Sequence, residues 1–321
     1  MTLRNVGWLL SWALMSTVAS AQETADEELL TFINAIRVVD NHTHALPALN
    51  PSAPAAAPAD PLGTSPPSFS VRQRETNPEW IASWRALYGY RHRDVTAEHV
   101  RQAFSAKQKL MREKGADYPG WILDQAGVDI AFVNARALGL GQTNHRFRWV
   151  PYADGFLFPF PTAEFPGNPQ PRRVEVGLDK APPAWADYLA SVSDRLKQWQ
   201  GSGAVAVKFT IAYFRSLDFL PVAEADAKST YERYLQVGGG KPRDYRTAEY
   251  KGLQDFLFRH VVREAGRLGL PVHIHTGEGG GPVFGVAGSN PLLVESVLND
   301  FSITPQPTFV LVHGGSRLIE P

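Results

Sequence analysis

Val38-Val39-Asp40-Asn41-His42-Thr43-His44 is the stretch on which the fold turns. A β-branched pair opens it, and two histidines one residue apart close it. On a β-strand, side chains i and i+2 share a face, so His42 and His44 can aim at one point. Converging imidazoles at a strand end suit a borderline divalent metal such as zinc. A surface turn that happens to hold two histidines would read the same way, so the rest of the chain must decide.

Working outward, five further strands are legible: Val128 to Asn134, Arg148 to Tyr152, Ala204 to Thr210, Leu270 to His275 and Phe309 to His313. Helical spacing fills the gaps between them. Leu29, Leu30, Ile33 and Ile36 define a helix over 27–36, expected to plug or cap one end of the fold. Trp80, Ile81, Trp84, Leu87 and Tyr88 form a stripe that reads as core. Thr96 caps a helix running to Lys114 and stopped by Gly115, and a short helix covers Trp121 to Gln125. Pro182-Pro183 opens a helix bearing Trp185, Leu189, Val192, Leu196 and Trp199. The polar stretch Val222 to Arg246 reads as a long loop. Thr247 to Leu268 is a helix closed by Gly269, and Asn290-Pro291 starts another.

Buried strands alternating with amphipathic helices imply βαβ units and a parallel sheet. In a barrel of such units the active site gathers at the C-terminal ends of the strands. The first, fifth and sixth strands each end in histidine: His42 and His44, His275, and His313. Three of these side chains could hold a catalytic zinc and leave a position open for water. Bound water can then have its pKa lowered to about 7 and act as nucleophile. His313 would serve as acid, base or further ligand. His273 shares a face with His275, and only the turn at Gly277 favours His275. Lys208 is costly inside an apolar strand unless paired, for example with Asp40 or Asp154, or modified.

Composition narrows the options. The 321 residues carry 32 basic and 32 acidic side chains and are 44% hydrophobic, which is globular and gives no pull toward nucleic acid. There is no cysteine, which removes disulfides, thiolate nucleophiles and Cys-ligated zinc together. Arg4, the apolar run Val6 to Val18 and Ala19-Ser20-Ala21 read as a cleavable signal peptide over 1–21, so an exported, periplasmic or secreted protein is expected. No later stretch reaches the about 20 apolar residues of a membrane span. Residues 46–70 are a Pro/Ala-rich insertion within one domain covering 22–321. The glycine run after Thr276 lacks the Gly-Lys-Ser/Thr of a phosphate loop, and no Gly-x-Ser-x-Gly or His-Glu-x-x-His occurs.

Taken in order, Val39-Asp40-Asn41-His42-Thr43-His44, Val207-Lys208-Phe209-Thr210, Ile274-His275-Thr276-Gly277 and Leu311-Val312-His313-Gly314-Gly315 resemble the amidohydrolase superfamily. The closer resemblance is to its amidohydrolase-2 (amidohydrolase-related) branch. Ala212-Tyr213-Phe214-Arg215-Ser216-Leu217 and Ser289-Asn290-Pro291-Leu292 are similar to the amidohydrolase domain of nodulin-type glutamine-synthetase fusions. The resemblance implies a metal-dependent-hydrolase TIM-like (β/α)8 barrel with one or two divalent ions, zinc foremost. It makes His42, His44 and His275 metal ligands, His313 a second-metal ligand or proton shuttle, and Lys208 a candidate bridging ligand. Asp40 and His273 would support the ligands. Arg148, Asp154 and Tyr213 are candidates to hold substrate, with Arg136 and Arg146 as further carboxylate-binding options.

The family's catalytic aspartate ends an eighth strand, whereas six strands are legible here, so the expectation is a C-terminally truncated chain of low stability and activity. The expected function is hydrolysis of a small amide, ester or carboxylate substrate. Alternatives are decarboxylation of an aromatic or unsaturated acid, and a non-catalytic metal-binding remnant. A small molecule is the expected partner, without nucleic acid or stable membrane insertion, and a homo-oligomer is compatible with these features.

Overall fold

Six short parallel strands frame the molecule, in a computed structural model that describes residues 26–43, 78–135, 144–161, 176–178, 180–237, 244, 246–277 and 285–315. The signal segment, the 46–70 insertion, Arg136 and His44 lie outside these residues. The strands are β1 (Val38–Thr43), β2 (Val128–Asn134), β3 (Phe147–Val150), β4 (Val207–Phe209), β5 (Val272–His275) and β6 (Phe309–Val312). They pair in chain order as two three-stranded sheets, β1-β2-β3 and β4-β5-β6, all parallel. Isolated parallel bridges from Trp149 to Ala204 and from Tyr152 to Lys208 join the two. The fold is mixed α/β with parallel sheets; closure into a complete barrel is not part of what the described residues form.

β-branched or aromatic residues recur in each strand, and helices cover one side of β3, β4 and β5, whereas Val38 and Val39 of β1 are exposed. The helices are α1 (Glu27–Ala35), α2 (Pro78–Tyr88), α3 (Ala97–Lys114), α4 (Tyr118–Gln125), α5 (Trp185–Gly201), α6 (Glu224–Gln236), α7 (Ala248–Arg267) and the single turn α8 (Glu295–Leu298). Thr96 and Thr247 cap α3 and α7 through their side chains, and Gly115 and Gly269 end them at positive φ. Trp149 of β3 meets Trp199 of α5 edge to face, while Phe209 of β4 packs on Phe258 of α7. Because strand side chains alternate, the neighbours of Trp149 and Phe209 face away from the helices. The opposite side of the sheet is therefore where Arg148 and Lys208 point.

Two expectations are corrected. The polar 222–246 stretch holds a full helix, α6. Its inner face is Ala227, Thr230 and Tyr231, small and hydroxylated residues at helical spacing that do not read as apolar. Helix α1 caps nothing among the described residues: none of its side chains is buried, and Phe32 stands 67% exposed. The segment after Asn290 also differs in detail. The Asn290 side chain accepts from the Leu292 amide as a cap does, but the turns that follow are 3₁₀ over Pro291–Val294 before α8.

A buried ion cluster sets the loop that follows β4. Arg215 Nη1 donates to Asp255 Oδ1 at 2.6 Å, and Lys251 Nζ donates to Asp255 Oδ2 at 2.9 Å. The guanidinium also lies 4.6 Å from the Phe219 ring centre. Removing this carboxylate, the most buried group of the cluster, would leave Arg215 and Lys251 sharing only the partly exposed Asp218, at 3.6 and 3.4 Å. Asp255→Ala is therefore expected to destabilise the chain by about 3–5 kcal/mol in urea unfolding.

Candidate functional site

The C-terminal ends of β5 and β6 are locked together before any functional group is placed. His275 is in register with Val312. Just beyond, Thr276 donates from its amide and from Oγ1 to the Val312 carbonyl, at 3.1 and 2.8 Å. Thr276 Oγ1 in turn accepts from the Gly315 amide at 3.2 Å. The chain after β6 is forced into a tight reversal in which His313, Gly314 and Gly315 have φ of 69°, 57° and 76°. Glycine tolerates this conformation, but for histidine it is a strained one that the surroundings must impose. A Cβ on Gly315 would lie 2.7 Å from Pro291 Cγ, so the turn has no room for a side chain there.

That reversal turns the His313 ring onto two others. Its centre lies 4.7 Å from the His275 ring and 5.1 Å from the His42 ring, both edge to face. Tyr213, in the turn after β4, lies 4.8 Å from His275. His42, His275, His313 and Tyr213 are thus gathered by ends of β1, β4, β5 and β6. His44 lies outside the described residues. Among the described residues no group of three or more His, Asp or Glu side chains is arranged to hold a metal ion.

His42 reaches the cluster through an irregularity in β1. Asp40 pairs with Ala131 and Thr43 with Val133, so three steps on β1 oppose two on β2. Such a bulge re-aims the side chains beyond it. Asp40 Oδ1 accepts from the His42 backbone amide at 3.0 Å. This contact braces the backbone at the bulge. The ring itself meets Asn134, whose Nδ2 lies 2.6 Å from His42 Nδ1 while Oδ1 is buried with no partner. An amide at Nδ1 governs which ring nitrogen keeps its lone pair, a function associated with partners of ligating histidines. Asn134 was not singled out from sequence; the signal was its place at the end of β2, level with the histidines.

Beneath this cluster lies a different arrangement. Lys208 and His273 are register partners on β4 and β5, so they share a face with each other and with His275. Both are 1% exposed. Lys208 Nζ and His273 Nδ1 are buried without hydrogen-bond partners. The Phe132 ring stacks parallel to His273 at 6.1 Å between centres. Burial pushes the Lys208 amine down to about 7 despite the opposing charge of Asp154. Burial, helped by Lys208, pushes His273 down to about 4.

The ion pair considered for Lys208 is not formed. Asp154 instead takes the Thr210 amide at 2.8 and 3.0 Å and the Thr210 hydroxyl at 2.9 Å. That fastens the end of β3 to the end of β4. Arg146 is likewise structural, donating to the carbonyls of Asp129 and Gly120 and to Asp124 Oδ1. Arg148 is exposed on the sheet face it shares with its register partner Phe132, and remains available to a ligand.

No family model and no curated protein matches the sequence. Solved structures share the fold. A protein from Lactobacillus casei ATCC 334, provisionally named a metal-dependent hydrolase, superposes with a TM-score of 0.59 at 17% identity, over 88% of this chain and 69% of that one. The likeness is one of fold. Uronate isomerase from Thermotoga maritima aligns at 14% identity over 61% of this chain and 43% of its own, with a TM-score of 0.43 that carries no argument.

The depressed Lys208 amine makes stability depend on pH with a definite sign. Below about pH 7 the amine is charged in both the folded and unfolded states, and folding bears the full cost of burying it. Between about 7 and the ordinary 10.5 the unfolded chain holds the extra proton, so this contribution to stability rises with pH. Lys208→Met removes the titration. The gain in stability of that variant over the parent should be largest below pH 7 and shrink toward pH 10.5, read by urea unfolding across the range.

Proposed function

We propose that the chain is a metal-dependent hydrolase of the amidohydrolase type, acting on a small substrate that bears an amide, ester or carboxylate. The observation that carries this reading is the convergence of His42, His275 and His313 at the C-terminal ends of parallel strands. The shared fold with a protein provisionally named a metal-dependent hydrolase supports it. All-imidazole donors fit a borderline divalent ion, zinc foremost, and His44 would add another from the same segment as His42. When bound, such an ion supplies Lewis acidity and a water of lowered pKa.

The residues divide the remaining work. His42, His44 and His275 would hold the metal, and Asn134 would fix the orientation of the His42 ring. His313 projects from a strained turn into contact with two of the ligands, where an imidazole can take and return protons near neutral pH. Tyr213 flanks His275 on the side of the β4 turn, placed to contact substrate. Lys208, whose Nζ has no partner, lies on the same sheet face as His275. The sequence over residues 1–21 supports an exported protein.

Metal analysis and turnover test the reading together. The purified chain should bind zinc, and His42→Ala and His275→Ala should each remove most of it. The loaded protein should cleave members of a panel of small amides and esters. Release of CO₂ from aromatic or unsaturated acids with no cleavage of the panel would instead establish a decarboxylase. Zinc content unchanged by both alanine variants would overturn the site. Asn134→Leu should weaken zinc binding by about 10–100-fold in a chelator competition, while Asn134→Asp, which would set a carboxylate acceptor where Nδ2 now lies and hold the His42 ring through an Nδ1–H, should lose far less.

A further inference from the structure

Buried nitrogen atoms with no hydrogen-bond partner are rare, because each forfeits its hydration for nothing. Two occur side by side here. Lys208 Nζ and His273 Nδ1 sit on adjacent strands at the same register position, on one face of the sheet. Adjacent strands are about 4.8 Å apart, so the two side chains rise as neighbours. Among the described residues no carboxylate hydrogen-bonds to them. Asp154, whose charge Lys208 senses, is turned to Thr210, and Asp40 is turned to the His42 amide. The apolar ring of Phe132 covers one side of His273 and leaves its edge, where the nitrogens lie, uncovered by that contact.

We propose that Lys208 and His273 form a buried binding site for a small carboxylate-type anion, held by Lys208 Nζ and by His273 through an Nδ1–H donor. A carboxylate has the needed properties: one negative charge for the ammonium, and two oxygens so that both nitrogens gain an acceptor. The place of the pair suggests what the anion belongs to. His275 lies two residues along β5 on the same face, about 6.6 Å further toward the strand end. A small acid anchored at Lys208 and His273 would extend toward His275, His313 and Tyr213. On the hydrolase reading above, on which this assignment of the occupant rests, the site selects substrates carrying a carboxylate a few atoms from the bond that is cut. Bicarbonate shares the chemistry and is the other source to distinguish.

Acetate and bicarbonate are suitable probes, with chloride at equal ionic strength as the control. Thermal unfolding of the full metal-free chain is followed in a buffer free of carboxylates, for the parent, Lys208→Met and His273→Phe. Acetate should raise the unfolding temperature of the parent saturably and beyond chloride. Lys208→Met should fold at least as stably as the parent without acetate, because it replaces a partnerless buried amine with an apolar chain of similar length, and its acetate response should vanish. His273→Phe should keep part of the response with about tenfold weaker apparent affinity. If Lys208→Met does not fold, the weakened response of His273→Phe carries the test alone.

An acetate shift equal in all three proteins, or none beyond chloride in the parent, overturns the proposal. So does a parent that ignores acetate but takes up ¹³C-bicarbonate covalently on Lys208. In that case a C–N bond forms between the amine and CO₂, with loss of a proton, and the lysine is a carboxylated residue. His42→Ala should leave the acetate response intact, so loss of zinc binding and loss of anion binding report separately on the two readings.

Discussion

Parallel pairing of β4, β5 and β6 is the constraint from which the site follows. The register sets Lys208 beside His273 and His275 beside Val312. Alternation then assigns Val207, Phe209, Val272 and Ile274 to the helix side and the ionisable groups to the other. A slip of one residue would drive Lys208 into the packing around Phe258 and turn His275 away from His313. The hydrophobic side holds the register, since Val207, Phe209, Val272 and Ile274 are fully buried. Placement of the polar groups is thus secured by apolar residues that never touch a ligand.

Around that frame, the chain uses local devices to aim individual groups. Thr276 ties β5 to β6 and, with Gly314 and Gly315, obliges His313 to adopt a left-handed conformation. Asp40 shapes a bulge that delivers His42. Asp154 and Thr210 close the gap between the two sheets. Each device is a short polar contact at a strand end, where backbone groups leave the ladder and need partners. The rings that converge there come from segments far apart in sequence. Their common position at strand ends is what makes them one site.

Much of this was legible in the sequence because strands buried on one or both faces must be built from β-branched and aromatic residues. The segment 128–134 coincides with β2, and the histidines closing the fifth and sixth runs do meet. What escaped reading depended on partners. The bulge in β1 exists only relative to β2, and the contact of Asn134 with His42 spans two strands whose pairing leaves no local mark. Asp154 looked like a free carboxylate because nothing in its own segment announces Thr210. Helix α6 was hidden by composition, since Ala227, Thr230 and Tyr231 form its buried face without reading as an apolar stripe. Helix α1 shows the reverse: its amphipathic pattern is clear, yet the pattern alone does not name the surface that would cover it.

The join between the two sheets has a thermodynamic consequence. Among the described residues, isolated bridges at Trp149–Ala204 and Tyr152–Lys208 carry the ladder across it. His42 and Asn134 belong to the first sheet, whereas Lys208, His273, His275 and His313 belong to the second or its following turn. A ligand gripped from both sides would act as a staple between the two sheets. Its binding free energy would then be shared between recognition and cohesion, so occupancy and the integrity of the sheet would rise and fall together.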